Sequence, residues 1–121
     1  MADVMSFKDD CLFCKIMRGD IPSDKVYADS FCYAFRDINP QAPTHVLIVP
    51  RAHIPSMNEV RWDNDDLVAH VFSAIPKIAR QEGVDERGYR VVCNCGADAG
   101  QTVQHLHFHL LAGTDMGEKL I

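Results

Sequence analysis

His105-Leu106-His107-Phe108-His109-Leu110-Leu111 alternates three imidazoles with large apolar side chains, a period of two. On a helix, residues two apart point away from each other, whereas on a strand they share one face, with neighbours on that face about 6.6 Å apart. The spacing therefore predicts a strand. Leu106, Phe108 and Leu110 face a core, and His105, His107 and His109 line a polar wall. A single histidine is ordinarily a core or surface residue; three in register mark a site.

Working outward, Tyr89-Arg-Val-Val-Cys93 reads as the preceding strand, and Asn94-Cys-Gly-Ala-Asp-Ala-Gly-Gln-Thr102 as the loop that feeds the histidine strand. Backbone N–H groups around Gly96 and Gly100 can converge into an anion nest, with Gln101 and Thr102 adding side-chain donors. A plain surface turn has the same composition, but placement directly before the histidines favours the anion site. Further back, His45-Val-Leu-Ile-Val49 is an apolar run closed by Pro50, the pattern of a strand buried on both faces. His45 begins it and His53 lies just past its end, so five of the six histidines belong to one region. The exception is His70, on a helix that starts at Asp63-Asn-Asp-Asp66 and ends at Gly83. Leu67, Val71, Ala74, Ile75 and Ile78 form its apolar face, Pro76 should kink it, and His70 reads as structural.

Toward the start of the chain, Val26-Tyr27 and Phe31–Phe35 flank Ala28-Asp29-Ser30 as a β-hairpin, and Asp37–Pro43 is a loop stiffened by two prolines. Cys11-Leu-Phe-Cys14 leads into a short helical turn, Lys15–Arg18, ended by Gly19 and Pro22. A redox motif would follow a buried strand, and none precedes this pair. Two unrelated thiols, or half of a tetrahedral metal site, remain open. Residues 1–10 carry no period and read as a loose tail, leaving 11–121 as a single domain.

Composition sets outer limits. With 121 residues, 47% of them hydrophobic, the chain can bury one real core. A net charge of −5 argues against binding a nucleic-acid backbone, though not against a small anion held locally. No apolar run reaches the ~18 residues of a membrane span, and Met1–Asp10 lacks the apolar centre of a secretion signal. A cytoplasmic protein without membrane partners is expected. Five cysteines, an odd count in a reducing compartment, suit metal binding better than a disulfide framework.

Three histidines on a straight strand cannot share one small ion, because the first and third lie about 13 Å apart. Nucleophilic catalysis fits better. A central imidazole attacks phosphorus while flanking imidazoles and amides neutralise phosphoryl oxygens, and a neutral histidine is available near pH 7 because its ordinary pKa is about 6.5.

The histidine stretch resembles the signature of the histidine triad (HIT) superfamily. Cys11-Leu-Phe-Cys-Lys-Ile, Gly19-Asp-Ile-Pro22, Phe35-Arg-Asp-Ile38, Pro40-Gln-Ala-Pro-Thr-His-Val-Leu-Ile-Val-Pro50, Asn94 and Gly100-Gln-Thr102 extend the resemblance to its Hint branch, over nearly the whole chain. Those proteins are purine nucleoside phosphoramidases. The resemblance implies an α+β fold: a five-stranded antiparallel sheet with one long and one short helix, paired into a ten-stranded sheet in a homodimer. It implies that His107 attacks the α-phosphate of a purine nucleoside 5′-phosphoramidate to give a nucleotidyl-histidine, which water then hydrolyses. His109 and His45 would contact the phosphate and leaving group, with Asn94, Gly100, Gln101 and Thr102 around the phosphate. Asp37 would hold the ribose hydroxyls, and Phe13, Ile16, Phe35 and Ile38 would form the slot for the base.

The resemblance further implies a structural zinc held by Cys11, Cys14, His53 and His105, a closed set of two thiolates and two imidazoles. A rival set replaces the two histidines with Cys93 and Cys95. One departure stands out: family members often end in a tryptophan-bearing tail, whereas this chain ends Met116-Gly-Glu-Lys-Leu-Ile121 and its one tryptophan is Trp62. No leaving-group preference is therefore implied. Other readings of the same residues are a dinucleoside polyphosphate hydrolase, a nucleotidyl transferase, and a nucleotide-binding signalling module.

Overall fold

A computed structural model of the chain describes residues 7–121. Five strands form one antiparallel sheet: β1 (Lys25–Ala28), β2 (Cys32–Arg36), β3 (Thr44–Pro50), β4 (Tyr89–Val92) and β5 (Phe108–Ala112), in the order β1-β2-β3-β5-β4. The long helix α2 (Asp65–Gln81) covers one face of the sheet, and the short helix α1 (Leu12–Arg18) belongs to the other. This is the expected α+β architecture with its two helices.

β3 organises the layers. Val46 and Ile48 pack toward α2 with Leu67, Val71, Ile75 and Ile78, while Leu47 and Val49 pack toward α1 with Phe13, Cys14 and Ile16. The apolar run is thus buried on both faces, as its lack of alternation predicted. The hairpin turn is closed by Asp29, whose Oδ1 accepts from the N–H groups of Phe31 and Cys32 and whose Oδ2 accepts from the Tyr27 hydroxyl. Burial opposes its ionisation, but these donors outweigh it and hold its pKa at about 2. His70 has the structural place expected of it: its Nε2 lies 3.3 Å from Asp29 Oδ2 and its ring 4.1 Å from that of Phe31, tying α2 to the hairpin.

Three local expectations are corrected. The histidine strand begins at Phe108, so His105 and His107 precede it. The β3–β5 ladder runs to Ile48–Phe108; the next position on β3 that could pair is Pro50, which has no N–H, and the Leu106 N–H turns to the Ile54 carbonyl at 2.6 Å. The alternation survives all the same, with Leu106, Phe108 and Leu110 buried. α1 starts at Leu12 rather than Lys15, because the Cys11 sulfur accepts from the Cys14 N–H as an N-cap. It stops at Gly19, whose φ of +87° is the left-handed value a helix terminus favours in glycine. α2 carries Pro76 inside it, where the sequence placed that proline. Most of the expected tail, residues 1–6, lies outside the described residues. Residues 7–10 turn into α1, with the Lys8 carbonyl accepting from the Cys11 N–H and Asp9 pairing with Arg18.

Candidate active site and metal cluster

Cys11 and Cys14, three apart at the start of α1, turn both sulfurs toward the segment that leads into β5. Cys11 Sγ lies 3.4 Å from His105 Nδ1, and Cys14 Sγ lies 3.6 Å from it and 3.5 Å from His53 Nδ1. The two Nδ1 atoms are 3.2 Å apart. A tetrahedral zinc with sulfur at about 2.3 Å and nitrogen at about 2.0 Å separates its donor atoms by roughly 3.3–3.8 Å. The four side chains fit that ion, and all four donor atoms lie within 4.8 Å of one another. His105 is fully buried, and its Nε2–H donates to the Pro50 carbonyl at 2.8 Å, which leaves the Nδ1 lone pair toward the cluster. Burial raises the Cys14 thiol to about 11, so a cation that takes its thiolate displaces a proton and binds better as pH rises. Cys93 and Cys95 belong to no such cluster among the described residues, so the rival ligand set is not formed.

On the other side of His105 stands the triad proper. The Nδ1–H of His107 donates to the His105 carbonyl at 2.7 Å, which leaves the Nε2 lone pair unprotonated. His107 is 7% exposed, with His109 at 5.1 Å and Phe13 edge-on at 5.1 Å between ring centres. The Gln41 N–H donates to His45 Nδ1 at 3.0 Å, so the other nitrogen of His45 carries its proton and donates to His109 Nδ1 at 2.9 Å. The chain of donors assigns the proton of His109 to Nε2. A lone pair and a donor N–H therefore stand on adjacent rings. Asp37 Oδ2 lies 3.4 Å from His45 Nε2, and Asp37 Oδ1 accepts from the Asn39 N–H.

Burial, with repulsion from His107 and His45, lowers the His109 pKa to about 4 despite Asp37. Burial also lowers that of His45, against the opposing pull of Asp37. The folded protein thus refuses a proton at His109 that the unfolded chain accepts below about 6.5. The stabilisation this represents is complete above that pH and is lost progressively as pH falls toward 4. NMR titration of the His109 ring should show a midpoint near 4 and the Nε2–H tautomer at neutral pH. A midpoint near 6.5 would remove the basis for this network.

The nucleotide contacts divide. Ile16, Phe35, Asp37 and Ile38 line one cavity of about 290 Å³, with Ile38 92% exposed at its mouth. Phe13 does not line it; its ring, 4% exposed, is wedged against Phe35, His105 and His107. The loop before the triad closes on itself. The N–H of Gly100 donates to Ala97, that of Gln101 to Gly96, and that of Gly96 to Gln101 Oε1, so these three groups do not converge on an anion. Both amide hydrogens of Gln101 are held by the carbonyls of Pro55 and Val103, which makes it a brace for the loop. Thr102 is exposed beside Cys11 and His53, at the metal end, and Asn94 is half-buried just past β4. Sequence reasoning missed the Gln41 N–H and the Pro50 carbonyl, backbone groups that carry no residue-type signal.

Comparison with known proteins agrees with this geometry. Residues 18–116 match the HIT domain family. The chain is 46% identical over 112 residues to a purine nucleoside phosphoramidase of Escherichia coli, covering 93% of this chain and 94% of that one. A HIT family hydrolase from Clostridium thermocellum superposes with a TM-score of 0.92 at 46% identity, over 94% of this chain and 99% of the other. A histidine triad protein from Clostridium difficile gives 0.89 at 47% identity, over 93% and 97%.

Proposed function

The chain belongs to the HIT domain family, whose hydrolases it matches along nearly its whole length, and on that premise we propose that it cleaves purine nucleoside 5′-phosphoramidates through a nucleotidyl-histidine on His107. The observation that carries this reading is the hydrogen-bond pattern of neighbouring rings, which assigns the neutral His107 a lone pair at Nε2 and His109 an N–H at Nε2. The His107 lone pair forms a bond to the α-phosphorus as the P–N bond breaks. An anionic phosphate seated against His109 favours its protonated form, in which Nδ1 also carries hydrogen and the bond to His45 reverses as His45 moves its own proton to Nδ1. The charged ring then gives its Nε2 proton to the departing nitrogen. Water then attacks phosphorus, the bond to His107 Nε2 breaks, and the water's proton passes to His109. The nucleoside monophosphate departs, and His107 returns to its starting state.

His45 holds His109 in place, Asp37 accepts from the ribose hydroxyls, and Ile16, Phe35 and Ile38 receive the purine. Asn94, just past β4, is left as the side chain of this loop to contact phosphate, while Gly100 and Gln101 act through the loop they close and Thr102 stands at the metal end. Cys11, Cys14, His53 and His105 would hold one zinc ion, whose closed ligand set would supply a cross-link and take no part in the reaction. The half-exposed Phe72 and the edge-strand residue Val91 are apolar surface suited to a homodimer contact. Five unpaired thiols suit the cytoplasm.

Purified protein should release AMP from adenosine 5′-phosphoramidate with a kcat/KM at least about 100-fold above that for diadenosine polyphosphates, a margin within reach of contacts to a leaving group. The reverse preference would identify a polyphosphate hydrolase. AMP binding without turnover of either substrate would identify a signalling module.

A further inference from the structure

Helix α1 is where the metal cluster, the nucleophile and the base cavity meet. It carries two of the four donor atoms, on Cys11 and Cys14. Between them Phe13 holds its ring centre 5.1 Å from that of His107 and 5.9 Å from that of His105, in T-shaped contact with both. One turn on, Ile16 forms a wall of the cavity shared with Phe35, Asp37 and Ile38. Seven residues are too few for a helix to persist without support. The polar contacts described between α1 and the rest of the site are those of the two sulfurs with His53 and His105.

A second route runs through His105. Its Nε2–H is fixed on the Pro50 carbonyl, its Nδ1 faces the sulfurs, and its own carbonyl receives the Nδ1–H of His107. Holding Nδ1 from the cluster side leaves the ring no rotation, and the carbonyl that orients the nucleophile belongs to the same residue.

We propose that the metal cluster and the nucleotide site are thermodynamically linked through α1, with Phe13 as the positioning residue: a cation in the cluster seats the Phe13 edge on His107 and the Ile16 wall on the base. The inference rests on the reading of the site as nucleotide-binding and of the cluster as a zinc site. Linkage is reciprocal, so a bound nucleotide must hold the cation more tightly by the factor with which the cation tightens the nucleotide.

The test titrates the full-length, zinc-loaded protein to equilibrium with a chromogenic chelator, with and without saturating AMP, while calorimetry on the same sample records AMP binding. AMP should lower the zinc Kd about tenfold, within the usual range of coupling between sites. Chelation of zinc by AMP itself acts in the opposite direction. The Phe13→Ala variant keeps all four ligands and should load about one zinc per chain, yet its zinc Kd values with and without AMP should differ by less than about twofold. Phe13→Leu, which restores apolar volume, should recover most of the ratio and serves where the alanine variant fails to fold. A residue that only stabilises the fold would change both Kd values together and leave their ratio intact. Equal Kd values with AMP demonstrably bound would overturn the linkage alone. No AMP binding would overturn the nucleotide reading and the linkage with it; no zinc uptake would overturn the metal reading in the same way.

Discussion

His107→Ala should abolish turnover of a nucleoside phosphoramidate, lowering kcat on the order of 10⁴-fold or more, while the melting temperature moves by only a few degrees. The substitution removes the attacking nitrogen itself. What it takes from the fold is smaller: one hydrogen bond to the His105 carbonyl and the edge contact with Phe13. A lost bond of that kind costs about 1–2 kcal/mol, a few degrees for a domain of this size. His109→Ala should cost less, on the order of 10²-fold, since it deletes a donor and leaves the nucleophile in place. Rapid quench of the wild-type enzyme with phosphorus-labelled substrate should show label bound to protein, and the label should be absent from His107→Ala. Near-normal kcat in that variant would end the proposal of a histidine intermediate.

Cys14→Ser should bring zinc well below one per chain and lower the melting temperature by about 10 °C. Cys14 is fully buried and touches both imidazoles of the cluster, so its loss opens the tetrahedron from the inside. Metal affinity that exists only in the folded state is folding free energy, and losing about 3 kcal/mol of it shifts a domain of this length by roughly that many degrees. Elemental analysis and calorimetric melting check both halves. Wild-type protein melted in excess chelator should approach the variant. Full zinc retention in Cys14→Ser, or identical melting with and without chelator, would contradict the ligand set.

Much of this was legible because it depends on short-range chemistry. Alternation at 105–111 is a property of neighbours, and it correctly assigned Leu106, Phe108 and Leu110 to the core although only the second half of the stretch is a strand. The apolar run at 45–49 declared its double burial in the same way. The place where β5 begins was not legible, because it depends on a proline 55 residues away whose carbonyl holds His105 and whose missing N–H ends the ladder. The proton positions on His45 and His109 likewise follow from pairing across 64 residues and from one backbone N–H at Gln41. The loop at 94–102 misled for a different reason. Its glycines suit an anion nest and a self-closed turn equally, and Gln101 decides between them by where its amide points. Phe13 was placed in the base slot by resemblance alone. Its ring neighbours in space are Phe35, His105 and His107.

The neutrality of the His45–His109 pair also bears on how the protein would meet a nucleotide substrate of the proposed kind. At pH 7 neither ring presents a cation to solvent, and the chain as a whole carries a charge of −5. An anionic nucleotide approaching from a distance feels no attraction from these two rings and a mild repulsion from the whole. In the proposed mechanism, positive charge develops at His109 only once a phosphate is already lodged against it. Arrival is then unselective among anions of similar size, and discrimination falls to departure: a ligand that cannot charge the ring leaves before anything happens.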